Sequence, residues 1–568
     1  MKRKQYHYSD ERAVQMLIYM LKEYEIRKII VSPGATNLNF VASLQYDGYF
    51  ELYSCPDERS AAYMACGMSV ECREPVVITC TGATASREYL AGLTEAFYRK
   101  IPIIAVTAAQ SAVNMDNLSP QYVDRTVVPK DAVKYSIHIQ HIRGTTDEWD
   151  CMLKLNRAFH ELRRNGGGPI HINLTTSYSN KFDVLTLPKT RVIERFTTDT
   201  TFPKINKNIK IGISIGAFWK WSDALSKAID KFCSKYNAVV LTDHASGYRG
   251  KFGIHPTILL AQENNYSTHL IPDLLIHIGE ESADYYTYYA LMNCKEVWRI
   301  SEDGKIRDTF RHLSKVFEMP EYVFFERCIQ NDVTTEIEED CTYLNSWKQE
   351  IARCSWHEGM FPFSNIWIAS VMTRMIPEDS VVHLGLSNTL RSWSFFDFNC
   401  GVRSYANVGA RGIDGVLSTM IGASISNRNK LFFCILGDLK FFYDLNVLGN
   451  RHVGNNIRII VVNNNGGTEF HLYQHSGFQV MGEEVGKYVA ADGHNVEKKD
   501  SLIKGYTRAL GIKYLSARNK KEFINALNNL MNITDEAALL EVYTSDENES
   551  KALKIIRNIM DQKEDRDG

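Results

Sequence analysis

Short apolar runs alternate with amphipathic stretches along the N-terminal third of the chain. Apolar residues at helical spacing over 13–24 predict a helix, and the run over 27–31 predicts a strand that ends at Ser32-Pro33-Gly34. Helix-length segments separate further continuous apolar runs, so the order predicts a parallel sheet with helices on both faces. Those runs are PVVITCTG (75–82), IPIIAVTA (101–108) and GPIHINL (168–174).

Two further α/β units follow in the sequence. A polar, proline-containing segment after residue 182 predicts a linker, and the charged stretch DVTTEIEEDC (332–341) begins a second one. We therefore predict an α/β fold of three doubly wound parallel-sheet domains, at 1–182, 200–335 and 355–545, with a polar tail at 546–568. The apolar runs that predict the later strands are 209–216, 238–243, 273–279, 296–301, 380–385, 431–436 and 457–462.

Composition narrows the classes of function. The chain of 568 residues is 44% hydrophobic and 23% charged, a soluble globular mixture, and its net charge of −2 gives no reason to expect nucleic acid. Its first residues lack the apolar region of a signal peptide, and no apolar run reaches the roughly 18 residues that cross a bilayer. The 12 cysteines are scattered, as reduced thiols are. We expect a cytoplasmic protein without nucleic acid or membrane partners.

Two strand ends of the third unit carry oxygen ligands. Gly437-Asp438-Leu439 follows the run LFFCIL, and Asn463-Asn464-Asn465-Gly466-Gly467 follows the run IRIIVV. Asp438 and Asn464 are 26 positions apart, enough for a helical crossover that returns both ends to one edge of the sheet. Carboxylate, carboxamide and carbonyl oxygens suit Mg²⁺ or Ca²⁺, usually shared with a phosphate. The alternative interpretation is a simple turn built from residues that tolerate left-handed backbone.

These strings carry a family resemblance. The Gly-Asp to Asn-Asn spacing resembles the diphosphate-binding motif of thiamine diphosphate enzymes, and GDLKFFYDLNVLGN and IIVVNNNGGTEF are similar to the MenD family, which joins 2-oxoglutarate to isochorismate. The resemblance implies pyrimidine-binding, central and diphosphate-binding domains of the thiamine diphosphate enzyme type. It also implies thiamine diphosphate with Mg²⁺, for which Mn²⁺ or Ca²⁺ could substitute, and a homodimer or homotetramer with shared active sites. No flavin fingerprint is present, so FAD is not expected.

The resemblance assigns the residues that hold the cofactor. The metal ligands are the Asp438 carboxylate, the Asn464 side chain and the Gly466 carbonyl. Ile413, in the string GARGIDG, is the apolar wedge that bends the cofactor; the alternative is a core isoleucine at a glycine-rich helix start. The full set of predicted cofactor contacts is Gly82, Ser387, Asn388, Ala410, Ile413, Gly437, Asp438, Leu439, Asn464, Gly466 and Gly467.

Glu58, in DERSAAYMACG, is the predicted catalytic residue. In the family, the glutamate at this position lies beside the aminopyrimidine of the cofactor, where an apolar setting raises carboxylate basicity and favours proton transfer. The alternative interpretation is a first-turn glutamate that stabilises the helix dipole together with Asp57.

Substrate residues are assigned by position in the same comparison. Gln121 falls where the family has a substrate-binding glutamine, and Arg391 falls where it has an arginine that could hold one carboxylate; the alternative is a solvated arginine. His471 and His475, spaced i and i+4, are predicted to share a helix face and to act beside the cofactor, or else to have no role. Thr36, after Pro33-Gly34, completes the set.

Three arginines of the family are missing at their expected positions. Ala35-Thr36 replaces Ser-Arg, Ala109-Gln110-Ser111 replaces Asp-Arg-Pro, and Val408 replaces an arginine. Guanidinium groups hold carboxylates in bidentate pairs, each worth roughly 1.5–3 kcal/mol. The losses therefore argue against the menaquinone-pathway substrate.

The sequence thus predicts a thiamine diphosphate- and Mg²⁺-dependent enzyme that decarboxylates a 2-oxo acid and transfers the resulting acyl carbanion to an acceptor. Three alternatives remain: a decarboxylase that releases an aldehyde, a true menaquinone-pathway synthase with a rearranged substrate pocket, and a cofactor-free scaffold.

Overall fold

The computed structural model describes residues 6–115, 117–264, 267–331, 341–399, 401–493 and 502–561. The strands of these residues, β1 to β19 in chain order, are Lys28–Val31, Glu51–Ser54, Val76–Thr81, Ile103–Ala109, Tyr135–Ile139, Ile170–Thr175, Glu194–Thr197, Ile211–Ile215, Ala238–Leu241, Gly253–Ile254, Leu274–Ile278, Glu296–Ser301, Leu313–Glu318, Val381–Leu384, Arg403–Ala406, Phe432–Gly437, Ile457–Asn463, Lys513–Ala517 and Ala538–Tyr543.

The α-helices of the same residues, α1 to α19, alternate with these strands. They are Arg12–Glu23, Leu38–Tyr46, Glu58–Cys72, Ala85–Arg99, Thr145–Glu161, Asp223–Tyr236, Thr257–Leu260, Tyr285–Leu291, Glu321–Gln330, Thr342–Arg353, Asn365–Met375, Asn388–Trp393, Val416–Ser426, Asp438–Asp444, Ser476–Met481, Val485–Tyr488, Leu502–Ala509, Lys520–Asn532 and Asp546–Arg557.

The described residues form two compact units. The first contains the chain up to Phe196 together with 304–308 and 314–316, and the second contains the rest. β7 and β13 are divided between the two units. The bounds given above for three domains remain predictions.

One strand order occurs twice. The sheet of the first unit has the order β2-β1-β3-β4-β6-β5, and the C-terminal sheet of the second unit has the order β15-β14-β16-β17-β19-β18. The strand pairs within both sheets are parallel. Apolar clusters on the two sheets, around Ile78 and Ile459, bury the strands. The α/β fold class with doubly wound parallel sheets is confirmed.

This strand order predicts where a crevice opens in each sheet. In the first sheet β1 lies between β2 and β3, and in the C-terminal sheet β14 lies between β15 and β16. The strand order therefore reverses between β1 and β3, and between β14 and β16. At such a reversal point the loops after the two neighbouring strands run to opposite sides of the sheet and leave a crevice at the carboxyl ends of the strands. Ligands of open parallel sheets bind there, so the loops after β1, β3, β14 and β16 are the ones to inspect.

The middle sheet has the same reversal between β8 and β11, but its gap is closed. Gly216, after β8, would place a Cβ 1.9 Å from the Glu280 carbonyl oxygen. The Ala217 amide donates to the Glu281 carbonyl at 2.8 Å, and the Glu280 amide donates to Ala217 at 2.9 Å. Backbone therefore fills the space that a ligand would use in this sheet.

Candidate active site

The crevice of the C-terminal sheet contains most of the predicted cofactor residues. Asp438 begins α14 directly after β16, Ser387 and Asn388 begin α12 after β14, and Asn464 follows β17. Parallel strands bring these carboxyl ends to one edge of the sheet. We call this site the Asp438 pocket; of the predicted cofactor residues it is lined by Ser387, Asn388, Ile413, Gly437, Asp438, Leu439, Asn464, Gly466 and Gly467.

Two predicted cofactor residues lie elsewhere. Gly82 follows β3 in the first unit. Ala410 is exposed in the loop between β15 and α13 and does not line the Asp438 pocket.

Three oxygen atoms converge in the Asp438 pocket. Asn464 Oδ1 lies 3.1 Å from the Gly466 carbonyl oxygen and 3.2 Å from Asp438 Oδ1. Mg²⁺ binds oxygens at about 2.1 Å in octahedral geometry, which separates neighbouring ligands by about 3.0 Å. The spacing of these oxygens, which without a cation repel one another, therefore matches one face of a Mg²⁺ coordination sphere.

The second carboxylate oxygen of Asp438 gives an independent indication. Asp438 is 1% exposed, and its Oδ2 atom is buried without a hydrogen-bond partner. Burial raises the pKa of this carboxyl group to about 7. Turning the Asn464 amide over would satisfy the facing oxygens without a cation, but Oδ2 would still have no partner. The residues present fit a divalent cation bound with a phosphate.

Two charged side chains that the sequence did not single out lie at or next to this pocket, Lys440 and Glu549. Lys440 lines the pocket, and desolvation lowers the pKa of its ammonium group while Asp438 and Glu469 oppose that effect. Glu549 of α19 is buried and accepts hydrogen bonds from the Asn365 amide at 2.9 Å and from Asn388 Nδ2 at 3.2 Å. The only sequence signal for Lys440 is its place directly after Gly-Asp-Leu, and Glu549 offers none because it lies in a predicted polar tail.

Ser387 has an unusual backbone conformation for a residue with a side chain. Its φ is +58° and its ψ is −132°, a region that glycine occupies readily. Such a conformation costs on the order of 1–3 kcal/mol and is concentrated at functional sites. The strained turn aims the start of α12 at the Asp438 pocket.

Arg391 is already paired. Both of its terminal nitrogens donate to the Glu469 carboxylate, and the two side chains are 13% and 20% exposed. A substrate carboxylate at this guanidinium would have to displace Glu469. The role predicted for Arg391 in substrate binding remains a prediction, and this pairing does not favour it.

The two predicted histidines do not share a helix, and that prediction is wrong. His471 ends a short 3₁₀ turn (Thr468–His471), the backbone is extended at Leu472, and His475 precedes α15 as its N-cap. The His475 ring accepts from the Gly477 amide at 3.0 Å. His471 Nε2 lies 2.8 Å from Asp492 Oδ2, and a second carboxylate, Asp546, is 3.8 Å away. The backbone is extended at the buried Leu472, where a helix joining the two histidines would need helical backbone.

The first unit places its predicted residues after the strands β1, β2, β3 and β4. Asp57 caps α3 by accepting from the Arg59 and Ser60 amides, so Glu58 is the first helical residue and is half-buried within its unit. This geometry also suits the helix-dipole interpretation of Glu58. The Thr36 hydroxyl donates to the Ala108 carbonyl, which ties the loop after β1 to β4.

A second pocket lies at the carboxyl ends of β3 and β4 in the first sheet. It is lined by Gly82 and Gln121, both predicted, and by Arg125, which the sequence comparison missed. We call it the Gly82 pocket. Sequence reasoning missed Arg125 because it considered only the positions where the family has arginines, and Arg125 lies at none of these but in the loop between β4 and β5. Its guanidinium carbon and the Ala109 Cβ lie 2.5 and 2.6 Å from where a Gly82 Cβ would stand.

Comparison with known proteins agrees with this geometry. Residues 11–127 match the family model for the thiamine pyrophosphate enzyme, N-terminal TPP binding domain. The resemblance to thiamine diphosphate enzymes is confirmed. The 2-succinyl-5-enolpyruvyl-6-hydroxy-3-cyclohexene-1-carboxylate synthase of Bacteroides thetaiotaomicron is 28% identical over 98% of this chain and 100% of its own length. The synthases of the same name from Bacteroides fragilis (strain ATCC 25285) and Porphyromonas gingivalis are 28% and 26% identical over 96% and 94% of this chain, and over 98% and 95% of their own lengths.

These similarities support an enzyme that uses thiamine diphosphate. The similarity to the synthases also extends through the middle of the chain, from which no motif is quoted above. Within the described residues, no helix combines the length and apolar character that crossing a membrane requires.

Proposed function

We propose that the protein is a thiamine diphosphate- and Mg²⁺-dependent carboligase that decarboxylates a 2-oxo acid and transfers the acyl unit to an acceptor. The observation that carries the proposal is that the Asp438 carboxylate, the Asn464 amide and the Gly466 carbonyl line one pocket, where Asp438 Oδ2 is buried without a hydrogen-bond partner among the described residues. A buried carboxylate without a partner is costly, and a shared cation removes that cost.

The Asp438 pocket supplies the groups that would bind the diphosphate end. Asp438, Asn464 and the Gly466 carbonyl would hold the cation. Gly437 has open space around the position of a Cβ, with its nearest contact, Val462 O, at 3.9 Å, so backbone amides can approach a phosphate there. Lys440 adds a positive charge within the same lining. Charge and geometry thus suit a diphosphate with its cation.

Ile413 and Glu58 would act on the organic part of the cofactor. Ile413 is half-buried and lines the Asp438 pocket, where an apolar side chain can fix a ring by contact. Glu58 would hold and return a proton at a ring nitrogen. When bound, thiamine diphosphate supplies a carbon nucleophile for the keto group and an electron sink for the loss of CO₂.

The choice of acceptor separates the candidate reactions. The relatives are named as synthases, and the MenD family that the motifs resemble joins two substrates. Their similarity covers 94–98% of this chain, which favours carboligation over simple decarboxylation. That same coverage keeps the synthase activity itself as a second candidate. The missing arginines at Thr36, Gln110 and Val408 argue against it, because its substrates carry several carboxylates.

The test is CO₂ release from a panel of 2-oxo acids, including 2-oxoglutarate and pyruvate, with thiamine diphosphate and Mg²⁺. Each acid is assayed alone, with simple aldehydes and ketones, and with isochorismate. Glu58→Gln is the active-site variant, and Glu71→Gln, an exposed change on the same helix, is its control.

We expect release from one acid, a coupled product only with an acceptor, loss of both in Glu58→Gln and full activity in Glu71→Gln. An aldehyde as the sole product would establish the decarboxylase. Coupling to isochorismate would establish the synthase. Failure to bind thiamine diphosphate in Mg²⁺ would refute the proposal and favour a cofactor-free scaffold.

A further inference from the structure

The Gly82 pocket contains a charge with no partner. Arg125 Nε and Nη1 are buried and make no hydrogen bond to any residue that the structure describes, and none of the described residues that line the pocket is acidic. The neighbouring Asp124 does not compensate, because it is exposed and its Oδ1 accepts from the Thr126 amide at 2.8 Å. Buried guanidinium groups are normally paired, so this one indicates a missing hydrogen-bond acceptor.

The surrounding residues keep the guanidinium in place. A Cβ on Gly82 would stand 1.9 Å from Arg125 Nη1, so any side chain at this position would displace the arginine. Ala109 is small enough to leave the same space open. Glycine after β3 and alanine at the end of β4 thus make room for an arginine that comes from the loop at 110–134.

The other polar groups of the pocket are neutral. Gln110 accepts from the Tyr122 hydroxyl, and burial together with Arg125 lowers the pKa of His138, so that its ring is uncharged at neutral pH. Asn173 Oδ1 is a buried acceptor without a donor among the described residues and cannot pair with an anion, so the guanidinium is the group that can. One positive charge among neutral amides matches a monoanion with planar, bidentate geometry, which is a carboxylate.

The location connects this pocket with the reaction. It lies in the loops after β3 and β4, at the carboxyl ends of the strands, which is the edge where open parallel sheets bind ligands. Gln121, predicted to bind substrate, lines it together with Arg125. Burial also lowers the pKa of Arg125 to about 10, which leaves the guanidinium charged at neutral pH.

We propose that Arg125 is a specificity-determining residue that binds a carboxylate of the substrate in the Gly82 pocket. The inference rests on the proposed function, since it assigns the anion to the 2-oxo acid or its acceptor. Arg125 supplies the guanidinium that the chain lacks at Gln110, from a different part of the sequence.

The experiment uses the full-length protein and the variants Arg125→Met and Arg125→Lys. Arg99→Met is the control, because Arg99 is exposed on α4 and forms an exposed ion pair with Glu95 of the same helix. Near-UV circular dichroism checks the fold of each variant. Binding of thiamine diphosphate with Mg²⁺, measured by calorimetry, checks the Asp438 pocket independently.

Kinetics with the 2-oxo acid that the CO₂ assay identifies gives the main readout. We expect kcat/KM to fall at least about ten-fold in Arg125→Met, with partial recovery in Arg125→Lys, while cofactor affinity stays unchanged. The acid should be preferred over its methyl ester or amide, or an acceptor acid over its ester, by wild type but not by Arg125→Met. Unchanged kcat/KM and unchanged discrimination in a folded Arg125→Met would overturn the inference.

A second measurement does not need turnover. Oxamate, an unreactive monocarboxylate, should raise the unfolding midpoint of wild type and of Arg99→Met, and should not raise that of Arg125→Met. If no 2-oxo acid is turned over and this shift is still observed, the proposed reaction fails while the carboxylate site stands. If turnover occurs and the oxamate shift is the same in all folded variants, the carboxylate site fails while the reaction stands. Should Arg125→Met not fold, Arg125→Lys with oxamate decides the matter, since a planar guanidinium and an ammonium differ in bidentate pairing.

Discussion

Replacing Asp438 by asparagine should make the cofactor-free protein more stable and the cofactor-bound protein less stable than wild type. Burial raises the pKa of Asp438 from an ordinary 3.8 to about 7. Below pH 4 the carboxyl is protonated in folded and unfolded chains alike. Between pH 4 and 7 only the folded chain keeps the proton, so the free energy of unfolding falls as pH rises, and above pH 7 the loss is complete.

The size of the effect follows from that pKa. One pH unit corresponds to about 1.4 kcal/mol, so the charged carboxylate destabilises the metal-free fold by about 4 kcal/mol at pH 8, taken as an upper limit. Asp438→Asn removes this penalty. A cation and cofactor present at a hundred times their dissociation constant stabilise wild type by about 2.7 kcal/mol, and the variant should gain little.

Differential scanning calorimetry at pH 8, with and without Mg²⁺ and thiamine diphosphate, measures both effects. The control is Asp444→Asn on the same helix, because Asp444 is buried too but accepts from the Ser418 amide at 2.7 Å and from its hydroxyl. Asp444→Asn should be destabilising in both conditions. Two results would refute the reasoning about an unbalanced carboxylate. One is that Asp438→Asn is less stable than wild type without ligands, and the other is that Mg²⁺ and thiamine diphosphate stabilise the variant as much as wild type.

Two more predictions follow from the same pocket. Ser387→Gly should raise the free energy of unfolding by about 1 kcal/mol, because glycine adopts φ +58° and ψ −132° without strain, and a urea titration measures it; a destabilised variant would show that the side chain outweighs the backbone strain. Glu549→Gln should flatten the dependence of stability on pH between 4.5 and 7, because burial raises the pKa of Glu549 to about 7 and wild type loses stability as pH rises through that range. Urea midpoints at pH 5 and pH 8 compare the two proteins, and an equal slope for both would contradict the assigned pKa.

The parts of the site that follow strand ends could be predicted from sequence. Asp438 and Asn464 each follow a continuous apolar run, and the parallel order that such runs indicate puts their side chains at one edge. The same reasoning found β3, β4, β16 and β17 to within two residues. Edge strands such as β15 and β18 were not predicted, because their half-exposed, mixed sequences lack a continuous apolar run.

Contacts made across long stretches of sequence could not be predicted. Glu549 lies in a segment that is polar by composition, yet the buried Leu553 and Ile556 hold α19 against the rest of its unit. Arg125 sits in a loop without periodicity, so nothing in the sequence indicates that its guanidinium reaches Gly82. His471 and His475 show the opposite failure, since i, i+4 spacing has meaning only where a helix forms.

Because the two sheets with the repeated strand order come from distant parts of the sequence, mutations near the Gly82 pocket can be made separately from mutations in the Asp438 pocket. The residues proposed to hold the cation, Asp438, Asn464 and Gly466, follow β16 and β17. The residues of the Gly82 pocket lie between the end of β3 and β6, more than 250 positions earlier. A mutant library confined to residues 109–126 would therefore vary which acid is accepted while leaving Asp438, Asn464 and Gly466 untouched. In protein engineering, that would make the segment at 109–126 a replaceable selectivity module, while Glu58 and the C-terminal sheet stay constant.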